Sequence, residues 1–305
     1  MNTKAILPFR YFVILILLVA FIRTSVSAQT FDANTPLQNR VQPTPENAMQ
    51  IFREAGMSPT RHITTAREFM AINQAFALLP PLHQRVLKEH LAGISFLDDM
   101  PNTALTSIVE SADSVRRYHI TFRAAILKQT VSEWLAEKER TCFIPDSSGT
   151  SISFIAGNLN AIVYVLLHET THVVDGSLDI FHDTSKGFAN QFTGGVWADR
   201  LTFATPDSLL NKNRFRRGGK PLPYSSTIAI YKALQQTPFV SLYSTSSWSE
   251  DLAECLTVYH LTKKMKQPFK LQLSNNGKVI FSNEPLKNSK VTQRMKSLEM
   301  FYSKS

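Results

Sequence analysis

The stretch 159–174, LNAIVYVLLHETTHVV, is the hardest part of this chain to place anywhere but inside a protein. It is apolar nearly all round as far as Leu167, so a helix over it must be buried rather than half-exposed. Asn158 or Asn160 can cap its start, and Gly176 can end it. Yet the same helix carries His168, Glu169 and His172 in the pattern HETTH. Helical geometry sets the two histidines one turn apart on one face, where two imidazoles can grip one Zn2+. Glu169 stands about 100° round the helix from His168, within reach of a water activated by the metal. Burying two histidines and a glutamate without partners is costly. A metal ion would supply those partners, so the pattern predicts a metal site.

A catalytic zinc takes three protein ligands and leaves a position open. Asp179, His182 and Asp183 follow soon after the helix and are candidates for the third ligand. The metzincin arrangement fails, because its glycine and third histidine would fall on Asp175 and Leu178. Glu250 and Glu254 form the stronger pair. They are four apart on a helix expected over 249–263, hence on one face, so one can bind metal while the other holds a histidine N–H. Asp175, near the end of the first helix, is unfavourable for the helix dipole and predicts either a compensating hydrogen bond near the metal or a plain helix stop.

These residues resemble the gluzincin metallopeptidases, and more closely the family of the anthrax lethal factor catalytic domain and its exported relatives. That pattern is HExxHxxD, then a Tyr seven residues before a Glu within a Glu-x-x-Ala-Glu helix. This chain has His168, Glu169, His172 and Asp175 in that register, then Tyr243 seven residues before Glu250, and Glu250, Ala253 and Glu254 in the helix. The resemblance implies His168, His172 and Glu250 as zinc ligands, Glu169 as general base, Glu254 as the partner of His168 and Tyr243 as oxyanion donor. It also implies an α+β, zincin-like domain with an active-site helix and a small antiparallel sheet. A substrate-pairing edge strand would lie at 117–127. The match covers about 159–261, roughly a third of the chain. It departs at Thr171, where the lethal-factor helix has Gly. The implied activity is hydrolysis of a peptide or protein substrate. A non-catalytic zinc-binding protein and an amidase acting on cell-wall peptides are the alternatives. No Gly-x-Ser-x-Gly elbow or Gly-rich phosphate loop supports a serine hydrolase or a nucleotide enzyme.

Around this centre the chain reads in segments. Lys4 and Arg10, then an apolar run over 11–22 and Val26-Ser27-Ala28, have the layout of a secretory signal peptide over 1–28, cleaved near Ala28. Export to the periplasm or outside the cell is therefore expected, with no membrane span in the mature chain. Residues 29–60, holding Pro36, Pro43, Pro45 and Pro59, read as a poorly ordered lead-in with one helix over 46–55, and 61–305 as the peptidase domain. Helices are expected over 65–79, 82–92 (stopped by Gly93), 131–140 and 291–302. Strands are expected over 117–127 and 151–156, with a hairpin over 269–281 turning at Asn276-Gly277. Residues 177–240 look loop-rich. With 43% hydrophobic residues the chain is no disordered polymer. The basic tract 212–220 reads as a solvated loop with no nucleic-acid motif beside it. Cys142 and Cys255 can pair after export or remain two buried thiols.

Overall fold

A computed structural model describes residues 31–109, 113–182, 187–207 and 209–303. The expected signal peptide and Asp183 lie outside the described residues. In chain order the elements are α1 (Glu46–Glu54), β1 (Thr60–Arg61), α2 (Ala66–Ala77), α3 (Pro81–His90), β2 (Leu91–Asp98), β3 (Ala104–Val109), β4 (Arg117–Arg123) and α4 (Val131–Arg140). There follow β5 (Phe143–Ile144), β6 (Thr150–Ile155), α5 (Ala161–Leu178), α6 (Phe188–Thr193), β7 (Leu222–Pro223) and α7 (Thr227–Gln235). The last are α8 (Trp248–Tyr259), β8 (Lys270–Asn275), β9 (Lys278–Asn283) and α9 (Ser289–Arg294), which runs on as a 3-10 turn over Met295–Tyr302. The architecture is mixed α and β with small sheets, consistent with α+β.

Local chemistry sets where the helices start. Thr65 and Thr130 each close a capping box, with Glu68 and Glu133. Asn160 and Ser247 accept from the backbone at the starts of α5 and α8. α5 is buried along nearly its whole length and packs against α2, α3, α4 and α8. Burial of each such aliphatic side chain stabilises the fold by about 1.5–3 kcal/mol. α5 does not stop at Gly176; it runs to Leu178 and ends on Asp179 in the left-handed conformation. Gly176 serves close packing instead, because a Cβ there would lie 2.3 Å from the Tyr118 hydroxyl.

The main sheet has the order β1-β2-β4-β3, with β2 and β4 parallel and β3 antiparallel to β4. Three expectations are corrected here. The edges are β1 and β3, and the strand at 117–123 lies inside the sheet. Gly93 does not merely stop a helix; it lies within β2, where a Cβ would meet the carbonyl oxygen of Arg40 at 3.2 Å and the Gln42 side chain at 2.8 Å. That close approach explains the third correction. The lead-in at 31–60 is tied to the sheet, with Ile94 N–H donating to Arg40 O and Gln42 N–H to Ile94 O, both at 2.8 Å. Arg40 is buried and donates to the carbonyls of Ala33, Thr35, Leu87 and Leu91.

A second sheet, β6-β8-β9, contains the expected Asn-Gly hairpin. The region 177–240 is less irregular than it reads, since α6 and α7 lie in it. Cys142 and Cys255 are both buried and free. Among the described residues no helix is long and apolar enough to cross a membrane.

Candidate metal centre

α5 and α8 face each other and bring their polar residues together in an otherwise apolar interior. His168 Nε2 lies 3.0 Å from Glu250 Oε2, and His172 Nε2 lies 3.3 Å from that same oxygen. The two histidine Nε2 atoms are themselves 3.3 Å apart. Donors placed tetrahedrally about a centre at zinc-ligand distance stand roughly 3.3 Å from one another. The triangle therefore has the size that one small ion demands, and His168, His172 and Glu250 can hold one metal ion. Two imidazoles and a carboxylate are also a donor set that suits zinc.

The groups behind the triangle are arranged to hold it. Glu254, one turn beyond Glu250, is wholly buried. Its Oε1 lies 3.1 Å from His168 Nδ1, an ion-pair contact rather than an aligned hydrogen bond. Its Oε2 accepts from Ser241 Oγ at 2.6 Å, and Lys138 Nζ lies 3.1 Å from Oε1. Burial opposes ionisation of Glu254, but Lys138 and His168 outweigh it and hold the pKa down to about 2. Burial likewise disfavours a charged His168, yet Glu250 and Glu254 raise its pKa to about 9. Glu250 is driven well below the usual carboxylate range, against burial, by His172 and His168. Carboxylates thus surround the imidazoles, and this favours a cation among them.

Glu169 is kept out of the triangle. Thr106 on the edge strand β3 donates to its Oε2 at 2.7 Å. The Tyr243 ring stacks on His168 with centroids 5.7 Å apart. Burial and the charges of Glu250 and Glu169 raise the phenol pKa well above its ordinary value, so Tyr243 stays protonated. Asp175 lies within α5, one turn beyond His172, and the helix runs on to Leu178, so Asp175 is not its stop. Burial raises its pKa to about 6, against the pull of His172.

Of the other candidates for the third ligand, Asp179 and His182 do not reach the site. Asp179 and His182 pair with each other at 2.8 Å on the surface. The basic tract is not a free loop either. Arg216 donates to the carbonyls of Thr245 and Leu201 and lies over the Phe203 ring at 4.0 Å. Phe215 meets the Tyr243 ring edge-on at 4.9 Å. Thr171, the departure from the glycine pattern, faces away from the triangle, and its hydroxyl oxygen lies 3.0 Å from Nε2 of the buried His83. Sequence reasoning did not find Lys138, Thr106 or Ser241, which meet their partners 116, 63 and 13 residues away, beyond the reach of a helical or strand period.

Next to Lys138, Glu139 is buried and accepts from the Tyr231 hydroxyl. Burial raises its pKa from an ordinary 4.5 to about 7, with the Tyr231 bond pulling the other way. A carboxyl with a raised folded pKa adds stability below its unfolded value, and that stability is lost as pH rises through the folded one. Between pH 5 and 8 the wild type should therefore lose on the order of 2–3 kcal/mol that Glu139→Gln does not lose. Urea denaturation of both proteins at the two pH values measures this. Parallel losses would show that Glu139 ionises freely in the fold.

Compared with known proteins, the chain matches no family model, no curated protein and no solved structure.

Proposed function

We propose that the chain is an exported, zinc-dependent peptidase of gluzincin type. One observation carries this reading: the triangle of His168, His172 and Glu250, closed at 3.0–3.3 Å, with the Glu169 carboxylate held beside it. When bound, zinc polarises the peptide carbonyl and makes water acidic enough to lose a proton near neutral pH. The chain's own residues do the rest. Glu169 accepts the proton of the attacking water and returns it to the leaving amine nitrogen. Thr106 steadies that carboxylate through its hydroxyl. The protonated Tyr243 hydroxyl donates to the oxygen that becomes negative as the carbonyl carbon turns tetrahedral. Glu254 holds the His168 ring by its Nδ1 edge, leaving Nε2 to face the metal. A peptide substrate lies along β3 and extends the sheet by backbone pairing, close to Glu169.

The test combines metal content with a cleavage assay. The purified protein should bind about one equivalent of zinc, cleave members of a broad peptide library and stop when a chelator removes the metal. One bound zinc without any cleavage would replace this reading with that of a non-catalytic zinc protein. Cleavage of cell-wall amide bonds but not of ordinary peptides would move the substrate class.

A further inference from the structure

Lys138 lies in the last turn of α4, within the run AEKER, where a solvated charge would be expected. Its side chain is only 13% exposed. Lysine is almost never buried without a partner. Here the ammonium lies 5.1 Å from the centroid of the Trp134 ring and, closer, meets two groups that both flank His168. It lies 3.1 Å from Glu254 Oε1, the oxygen that also stands 3.1 Å from His168 Nδ1. It also sits 3.9 Å from the centroid of the Tyr243 ring, which stacks on His168. The attraction between a cation and a ring face grows when water is excluded. Ser241, which holds the other oxygen of Glu254, belongs to the segment just before Tyr243. One ammonium therefore bridges the acid behind the metal-facing histidine and the ring of the oxyanion donor.

We propose that Lys138 is a positioning residue that clamps the Glu254 carboxylate and the Tyr243 ring as one unit. The clamp fixes the His168 imidazole for the metal and the Tyr243 hydroxyl for the substrate oxygen. This rests on the peptidase reading for Tyr243, but not for His168.

K138M keeps the aliphatic stem and removes the ammonium. Zinc affinity, read by chelator competition, should weaken roughly 10-fold or more. The kcat should fall about 10–100-fold, with KM within about 3-fold, because the lost contact serves the transition state. In a Y243F background K138M should lower kcat by no more than about 3-fold further, since that part of its effect passes through the phenol. K138R, which keeps a cation between carboxylate and ring, should recover zinc affinity and kcat to within about 3-fold of wild type. Thermal melting checks that each variant is folded, and K138Q serves if K138M is not. Unchanged zinc affinity, a kcat loss undiminished by Y243F, or failure of K138R to recover would each overturn the clamp. Zinc affinity is read without turnover. A wild type that binds zinc but cleaves nothing removes the peptidase reading and leaves the clamp to be decided by the zinc measurement alone.

Discussion

Glu169→Gln should retain a full equivalent of zinc and lose turnover by roughly 10²–10⁴-fold, the usual worth of a positioned general base. The two halves of this result have separate structural causes. Glu169 contributes no atom to the triangle of His168, His172 and Glu250, so neutralising it leaves the metal donors in place. Gln also keeps an oxygen that the Thr106 hydroxyl can reach, so the side chain should stay where it is. Only the ability to take up a proton is lost. Zinc analysis and peptide-library cleavage on the same preparation read both halves. Undiminished cleavage would end the assignment of Glu169 as base, and loss of zinc would make Glu169 a ligand.

Arg294→Met should destabilise the fold by about 3–5 kcal/mol, because it leaves a buried carboxylate without its counter-charge. Asp251 is wholly buried on α8, directly after Glu250. Arg294 reaches both of its oxygens, at 2.6 and 3.3 Å, and Trp197 Nε1 donates to one of them at 2.8 Å. Burial already raises the Asp251 pKa, with Arg294 pulling the other way. Without Arg294 burial is less opposed, so the folded pKa rises further. Stability is then lost as pH rises, and the deficit of the variant should be larger at pH 8 than at pH 5. Denaturant melts at both pH values measure the deficit, and Asp251→Asn combined with Arg294→Met should recover part of it. A deficit below about 1 kcal/mol would mean that the pair anchors nothing.

The helices that carry the triangle were the most legible part of this chain. HETTH inside an apolar run leaves few alternatives, and Glu250 with Glu254 announces one face through the helical period. The cap of α5 was also readable, Asn160 being one of the two residues offered for it, because a cap is a contact between near neighbours. The sheet was not. β2, LAGISFLD, is a short apolar run interrupted by glycine, and periodicity does not separate such a run from the end of a helix. β3, ALTSIV, carries its apolar residues in pairs at its two ends, with no alternation to mark a strand, so the edge fell to its neighbour β4, which is rich in β-branched and aromatic residues. The lead-in read as loose because its prolines were visible, while the buried anchoring of Arg40 depends on carbonyls some fifty residues away. Lys138 lies 116 residues from Glu254 and Thr106 lies 63 from Glu169, separations over which one sequence carries no signal.

The two unpaired thiols have a practical use. Cys142 belongs to the apolar cluster around Trp197 and Tyr231, and Cys255 to the one built on α5. Both thiol pKa values are raised, chiefly by burial, so neither sulfur reacts while its surroundings stay closed. The molecule thus carries a built-in alkylation gauge in each half of its interior, and the order in which the gauges become reactive would report which half loosens first.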